Sequence, residues 1–183
     1  MTFRGFIALD IDVTSDMEKF MEEVESTRAP LNMVDTDKIH ITMKFLGDTE
    51  EDDVGEISER IRSILKDFEP FYIRRKGVGA FPHLDYMKVV WIGLEKEPNL
   101  EDIAHGIEEN LVPLGFSRSE RSFSPHITVA RVKGGKNKNR LKSVLHDYED
   151  YDFGKQRVTK LKFKKSVLKK TGPVYHTLEE FYL

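Results

Sequence analysis

The chain has 183 residues, 39% of them apolar, 33% charged and none of them cysteine. That length suits one substantial domain or two small lobes sharing a core, and the missing cysteines exclude disulfides, thiolate metal sites and a Cys nucleophile. A net charge of −3 conceals a segregation: residues 1–69 hold 8 Lys/Arg against 18 Asp/Glu, while residues 117–170 hold 16 against 5. This imbalance suits a polyanionic partner on the second half, or simply attraction between the two regions within the fold. No apolar run approaches the roughly 20 residues of a membrane span. The N-terminus lacks the basic-then-apolar pattern of a signal peptide, so a cytoplasmic protein is expected.

In chain order, residues 2–12 read as a strand around Phe6-Ile7-Ala8-Leu9. Ser15 with Glu18 forms a capping-box pattern ahead of a helix carrying Met17, Phe20, Met21 and Val24. A strand follows from about Lys38 to Leu46, then a helix capped by Thr49 and Asp52, with Val54, Ile57, Ile61, Ile64, Leu65 and Phe68 as its apolar stripe. Strands near 70–79 and 87–95 flank a turn at Phe81-Pro82-His83-Leu84-Asp85. Next come a helix around 99–112, a loop over 115–124, and a strand from Pro125 to Val132. A polar turn at Gly134-Gly135-Lys136-Asn137 opens a helix with Leu141, Val144 and Leu145, and strands near 155–168 and 174–182 end the chain.

Shifting the numbering by 86 lays strand 2–12 on 88–98, helix 50–68 on 136–148 and strand 87–95 on 173–181. The same shift lays His40-Ile41-Thr42-Met43 on His126-Ile127-Thr128-Val129. This regularity predicts an α+β fold: one domain over residues 1–183 with two lobes related by a pseudo-two-fold. Its mixed or antiparallel sheets would carry outer helices and face a central cleft.

Side chains alternate across a strand, so His40, Thr42 and Lys44 should share one face and Ile39, Ile41, Met43 and Phe45 the other. His126 and Thr128 share a face in the same way. One His-x-Thr carries almost no information, because a lone strand histidine is more often structural. Two copies at equivalent places of a repeat favour function. With an unperturbed pKa of about 6.5, one imidazole can take a proton while another gives one, and each Thr hydroxyl can hold a phosphoryl oxygen. A metal site is the weaker reading, because each copy supplies a single good ligand and no acidic residue shares its strand face.

Further along these segments stand Gly79-Ala80-Phe81-Pro82, Val90-Trp91-Ile92-Gly93-Leu94, Ser124-Pro125-His126-Ile127-Thr128-Val129-Ala130-Arg131 and Gly172-Pro173-Val174-Tyr175. With the His40 segment through Gly47, they make the whole chain resemble the RNA 2′,3′-cyclic phosphodiesterases, also called 2′-5′ RNA ligases, of the two-histidine phosphoesterase superfamily. The resemblance implies a bilobed fold and hydrolysis without metal or cofactor. Its substrate would be RNA or nucleotide ending in a 2′,3′-cyclic phosphate, tRNA fragments among the candidates, and its product a 2′-phosphate. 2′-5′ ligation would be a side activity and the protein a monomer. His40 and His126 would be catalytic, with His126 the base toward water and His40 the acid toward the 3′ oxygen. Thr42, Thr128 and Arg131 would bind substrate. Arg131 has the opposite strand parity to His126, so only a bulge, the strand's end or a long reach would bring it to the phosphate. The competing readings are an idle RNA- or nucleotide-binding module and a related phosphoesterase for small cyclic nucleotides.

The remaining features are less specific. His83, His105, His146 and His176 read as solvent-facing or structural, Trp91 as core, and Phe81 as either packing or a base-stacking group. Lys136, Lys138 and Arg140 suit a phosphate-contacting loop or a solvated helix start. Lys160, Lys162, Lys164 and Lys165 read as the wet face of a strand that buries Leu161 and Phe163.

Overall fold

The computed structural model describes residues 1–183 as nine strands and four α-helices. The strands are β1 (Thr2–Asp10), β2 (Leu31–Met33), β3 (His40–Glu50), β4 (Phe71–His83), β5 (Tyr86–Leu94), β6 (Ile127–Val132), β7 (Asp152–Val158), β8 (Lys160–Lys169) and β9 (Gly172–Tyr182). The helices are α1 (Ser15–Ser26), α2 (Val54–Leu65), α3 (Pro98–Leu111) and α4 (Lys138–Asp147). None is long and apolar enough to cross a membrane.

All strand pairs are antiparallel, in the order β7-β4-β5-β6-β3-β1-β8-β9, with β2 added to β6. Only Ile41 and Ile127 pair across the β3–β6 junction. So short a ladder lets the two halves splay, which opens a cleft while the pair itself stays fully buried. Outward from the junction the order is β3-β1-β8-β9 on one side and β6-β5-β4-β7 on the other. The fold is therefore α+β, and its sheet is wholly antiparallel.

The helices lie against the sheet because each buries one apolar stripe. Met17, Phe20, Met21 and Val24 do so on α1, Ile57, Ile61 and Leu65 on α2, Leu100, Ile103, Ala104, Ile107 and Leu111 on α3, and Leu141 and Leu145 on α4. They join strand residues in one core of 36 buried side chains.

Several local expectations change. Thr14, rather than the Ser15–Glu18 box, caps α1 by accepting from the Met17 amide at 3.4 Å. Thr49 is buried in β3 and donates to the Gly47 carbonyl, so α2 is entered through the 3₁₀ turn Glu51–Asp53 instead. The segment expected as one strand over 155–168 is two: β7 pairs with β4 and β8 with β1. At offset 86, β1, β3 and β4 fall on β5, β6 and β8, which hold matching places about the junction. β5 falls on β9, which does not; β9 is an edge strand, where the other half has β7.

Candidate active site

His40 opens β3, and His126 immediately precedes β6. Because Ile41 faces Ile127 in an antiparallel pair, His40 and Thr42 flank one side of the junction and His126 and Thr128 the other. All four line one cleft of about 650 Å³, together with Arg131, Lys38, Phe45, Ser166 and Tyr175.

One device orients both imidazoles. His40 donates from Nδ1 to the Lys38 carbonyl at 2.7 Å, and His126 donates from Nδ1 to the Ser124 carbonyl at 2.8 Å. A carbonyl only accepts, so Nδ1 must carry hydrogen, and the neutral ring keeps its lone pair on Nε2. On His40 that Nε2 lies 3.2 Å from the Thr42 hydroxyl. Aromatic edges fix the ring planes: Tyr175 stands perpendicular to His40 at 5.5 Å and Phe81 perpendicular to His126 at 4.9 Å. Phe81 in turn packs on Trp91, whose ring lies so close over Gly79 that any Cβ there would collide with it. Trp91 is thus a support for the site, and Phe81 a packing group. β4 continues through the expected turn to His83, leaving only Leu84 and Asp85 in the turn.

Burial pushes the His40 pKa below its ordinary 6.5; the Lys38 carbonyl and Asp10 oppose that, while Lys164 and His126 add to it. Asp10 sits across from His40 on β1. Its carboxylate takes Lys164 and, at 2.7 Å, Lys162. Burial raises the Asp10 pKa, but these two ammonium groups outweigh it and hold the carboxyl below its ordinary value. The expected wet face of the Lys160–Lys165 strand is therefore only partly wet. Lys164 is buried on the cleft side, since it pairs with Phe6 across β1.

β-bulges decide two further placements. The β1–β3 register skips Met43, passing from Ala8–Thr42 to Ile7–Lys44. The extra residue reverses parity beyond it. Lys44, expected beside His40, is instead buried and bonds to Glu108 and the Ser117 carbonyl, each at 2.8 Å. Phe45, expected in the core, is 58% exposed in the cleft. The β5–β6 register skips Val129 in the same way, passing from Trp91–Thr128 to Val90–Ala130. That bulge brings Arg131 round to the cleft with Thr128. Phe45 and Tyr175 are among the cleft residues that sequence reasoning missed. Tyr175 belongs to the family-like segment Gly172–Tyr175, whereas only the bulge reveals Phe45. His83, His105, His146 and His176 are exposed, as expected.

A family model of the AKAP7 2′5′ RNA ligase-like domain matches residues 6–183. An RNA 2′,3′-cyclic phosphodiesterase of Methanothermobacter thermautotrophicus is 34% identical over 185 residues, covering 100% of both chains. One from Methanocaldococcus jannaschii is 37% identical over 180 residues, covering 97% of this chain and 99% of its own. A crystal structure of TT0787 from Thermus thermophilus superposes with a TM-score of 0.79 at 25% identity, covering 98% of this chain and 97% of that one. The chain belongs to the 2′-5′ RNA ligase-like, RNA 2′,3′-cyclic phosphodiesterase family of two-histidine phosphoesterases.

Proposed function

We propose that this protein hydrolyses a 2′,3′-cyclic phosphate at the end of an RNA, leaving a 2′-phosphate, with His40 and His126 as its proton-transfer groups. The observation that carries this is the pair of imidazoles set alike by their Nδ1 bonds, so that each offers Nε2 to one cleft. The relatives' shared activity supports the substrate class.

Water attacks phosphorus and loses its proton to one Nε2. The bond from phosphorus to the 3′ oxygen breaks, and that oxygen takes its proton from the other ring. His126 acts as base and His40 as acid. Held below the ordinary imidazole value, His40 is a strong acid once charged, and the phosphate anion between the rings favours charging it. The Thr42 and Thr128 hydroxyls donate to the non-bridging oxygens, and Arg131 neutralises the phosphate. Each ring has one nitrogen engaged by a carbonyl and one left for chemistry. With two imidazoles and no third His, Asp or Glu grouped with them as a metal ligand, the reading is proton transfer without a metal. A 5′-hydroxyl in place of water would give a 2′–5′ linkage. Both halves contribute one motif each, so we read residues 1–183 as a single two-lobed domain built on an internal repeat. We further propose that it acts as a monomer in the cytoplasm on RNA ends, tRNA fragments included.

Replacing either histidine with alanine should cost at least roughly the hundredfold expected of one positioned acid or base. Rates on a nucleoside 2′,3′-cyclic phosphate check this. Near-normal activity in both single variants would remove the catalytic reading.

A further inference from the structure

A second cavity of about 580 Å³ adjoins the cleft, and Arg131 lines both. Its size lies within the roughly 300–1,000 Å³ typical of built binding sites. Lys88, Lys133 and Lys138 supply its other cations, and Asp85 its one carboxylate. That carboxylate is engaged by Lys142 at 2.7 Å, and Lys138 donates to the Asp85 backbone carbonyl at 3.0 Å. Lys88, Arg131 and Lys133 form no ion pair within the chain. Tyr86, 57% exposed, offers a ring at the rim, with the Lys88 ammonium 5.3 Å from its centre.

The charge of the second half is thus divided. Lys162, Lys164 and Lys165 pair with Asp10 and Glu51 of the first half, which satisfies them internally. The cations around the second cavity have no such partners. Lys38, which also lines the cleft, is paired with Asp35 at 2.5 Å. A polyanion leaving the cleft past Arg131 therefore meets unpaired positive charge.

We propose that this second cavity is an oligonucleotide subsite: it holds the RNA strand on the 5′ side of the terminal cyclic phosphate, with Lys88, Lys133 and Lys138 on its phosphodiesters and Tyr86 against a base. The inference rests on the cyclic phosphodiesterase reading. Arg131 is then the hinge between the reacting phosphate and the next one. A mononucleotide fills only the cleft, whereas an oligonucleotide fills both cavities.

The test compares two substrates, a nucleoside 2′,3′-cyclic phosphate and a short oligoribonucleotide ending in one, on the intact protein and on the Lys88→Ala/Lys133→Ala/Lys138→Ala variant. The wild type should favour the oligonucleotide in kcat/KM. The variant should lose about tenfold or more of that preference and keep the mononucleotide rate. Its dependence of log(kcat/KM) on log[salt] should flatten by about two, since each single-strand phosphate contact contributes roughly 0.7 to that slope. Arginine at the same three positions should restore both. Equal rates for the two substrates on the wild type, an unchanged preference in the variant, or an equal fall on both substrates would overturn the subsite. Failure of the wild type on both substrates would instead defeat the underlying phosphodiesterase reading.

Discussion

In the proposed mechanism two nitrogens, one on each imidazole, carry the chemistry, and their unequal surroundings predict unequal roles. His40 is half-buried against Phe6 and Tyr175, while His126 meets the edge of Phe81. A substrate with a much better leaving group at the 3′ position no longer needs the acid. His40→Ala should then recover much of its rate and His126→Ala should stay slow; the reverse pattern would exchange the roles. Coupled imidazoles should also give a bell-shaped rate profile whose two apparent pKa values belong to the pair. Folding stability carries the same signature. Because His40 titrates below its ordinary 6.5 in the fold, the unfolded chain binds that proton more readily. The resulting stability is complete above about pH 6.5 and is lost as pH falls through the folded value. Denaturant unfolding at pH 8 and pH 5 should therefore show a larger loss for wild type than for His40→Ala. Parallel losses would mean that His40 is not desolvated as described.

The strands aim these residues, and alternation alone does not predict where they point. It correctly put His40 with Thr42 and His126 with Thr128, because each pair spans only two residues and no bulge intervenes. It failed for Lys44 and Phe45, one and two residues beyond the irregularity at Met43. Arg131 reaches the cleft for the converse reason, since the skipped residue Val129 restores its parity with Thr128. No residue in Thr-Met-Lys or Thr-Val-Ala announces an extra residue, so these placements depend on the partner strand. The three-residue β2 was also invisible, being too short for a period to show. Its residues Asn32 and Met33 nevertheless line the cleft. The element with most influence on the site is the single Ile41–Ile127 pair, which registers one motif against the other. Ile41→Ala or Ile127→Ala should cost about 2–5 kcal/mol of stability, as buried Ile truncations do. Either should lower kcat more than an equally buried but remote Ile61→Ala does. Equal effects on kcat from all three would show that the junction does not align the site.

For the molecule as a whole, the mirrored strand order about one junction explains how a chain with a repeated motif makes one cleft rather than two. Each half contributes one imidazole and one hydroxyl, so neither half is complete alone. The fold class, the helix stripes and the meeting of the two motifs were legible in the sequence, because periodicity and a constant offset encode them. The fate of the charge asymmetry was not. Asp10 against Lys162 and Lys164 is a contact between residues more than 150 positions apart, and sequence distance conceals it. The central claim is that paired histidines open a cyclic phosphate by proton transfer. The most direct measurement is incubation of the purified protein with a nucleoside 2′,3′-cyclic phosphate in EDTA, identifying the phosphomonoester formed. The account predicts undiminished turnover and a 2′-phosphate product; loss of activity on chelation restored by a divalent ion, or a 3′-phosphate product, would contradict it.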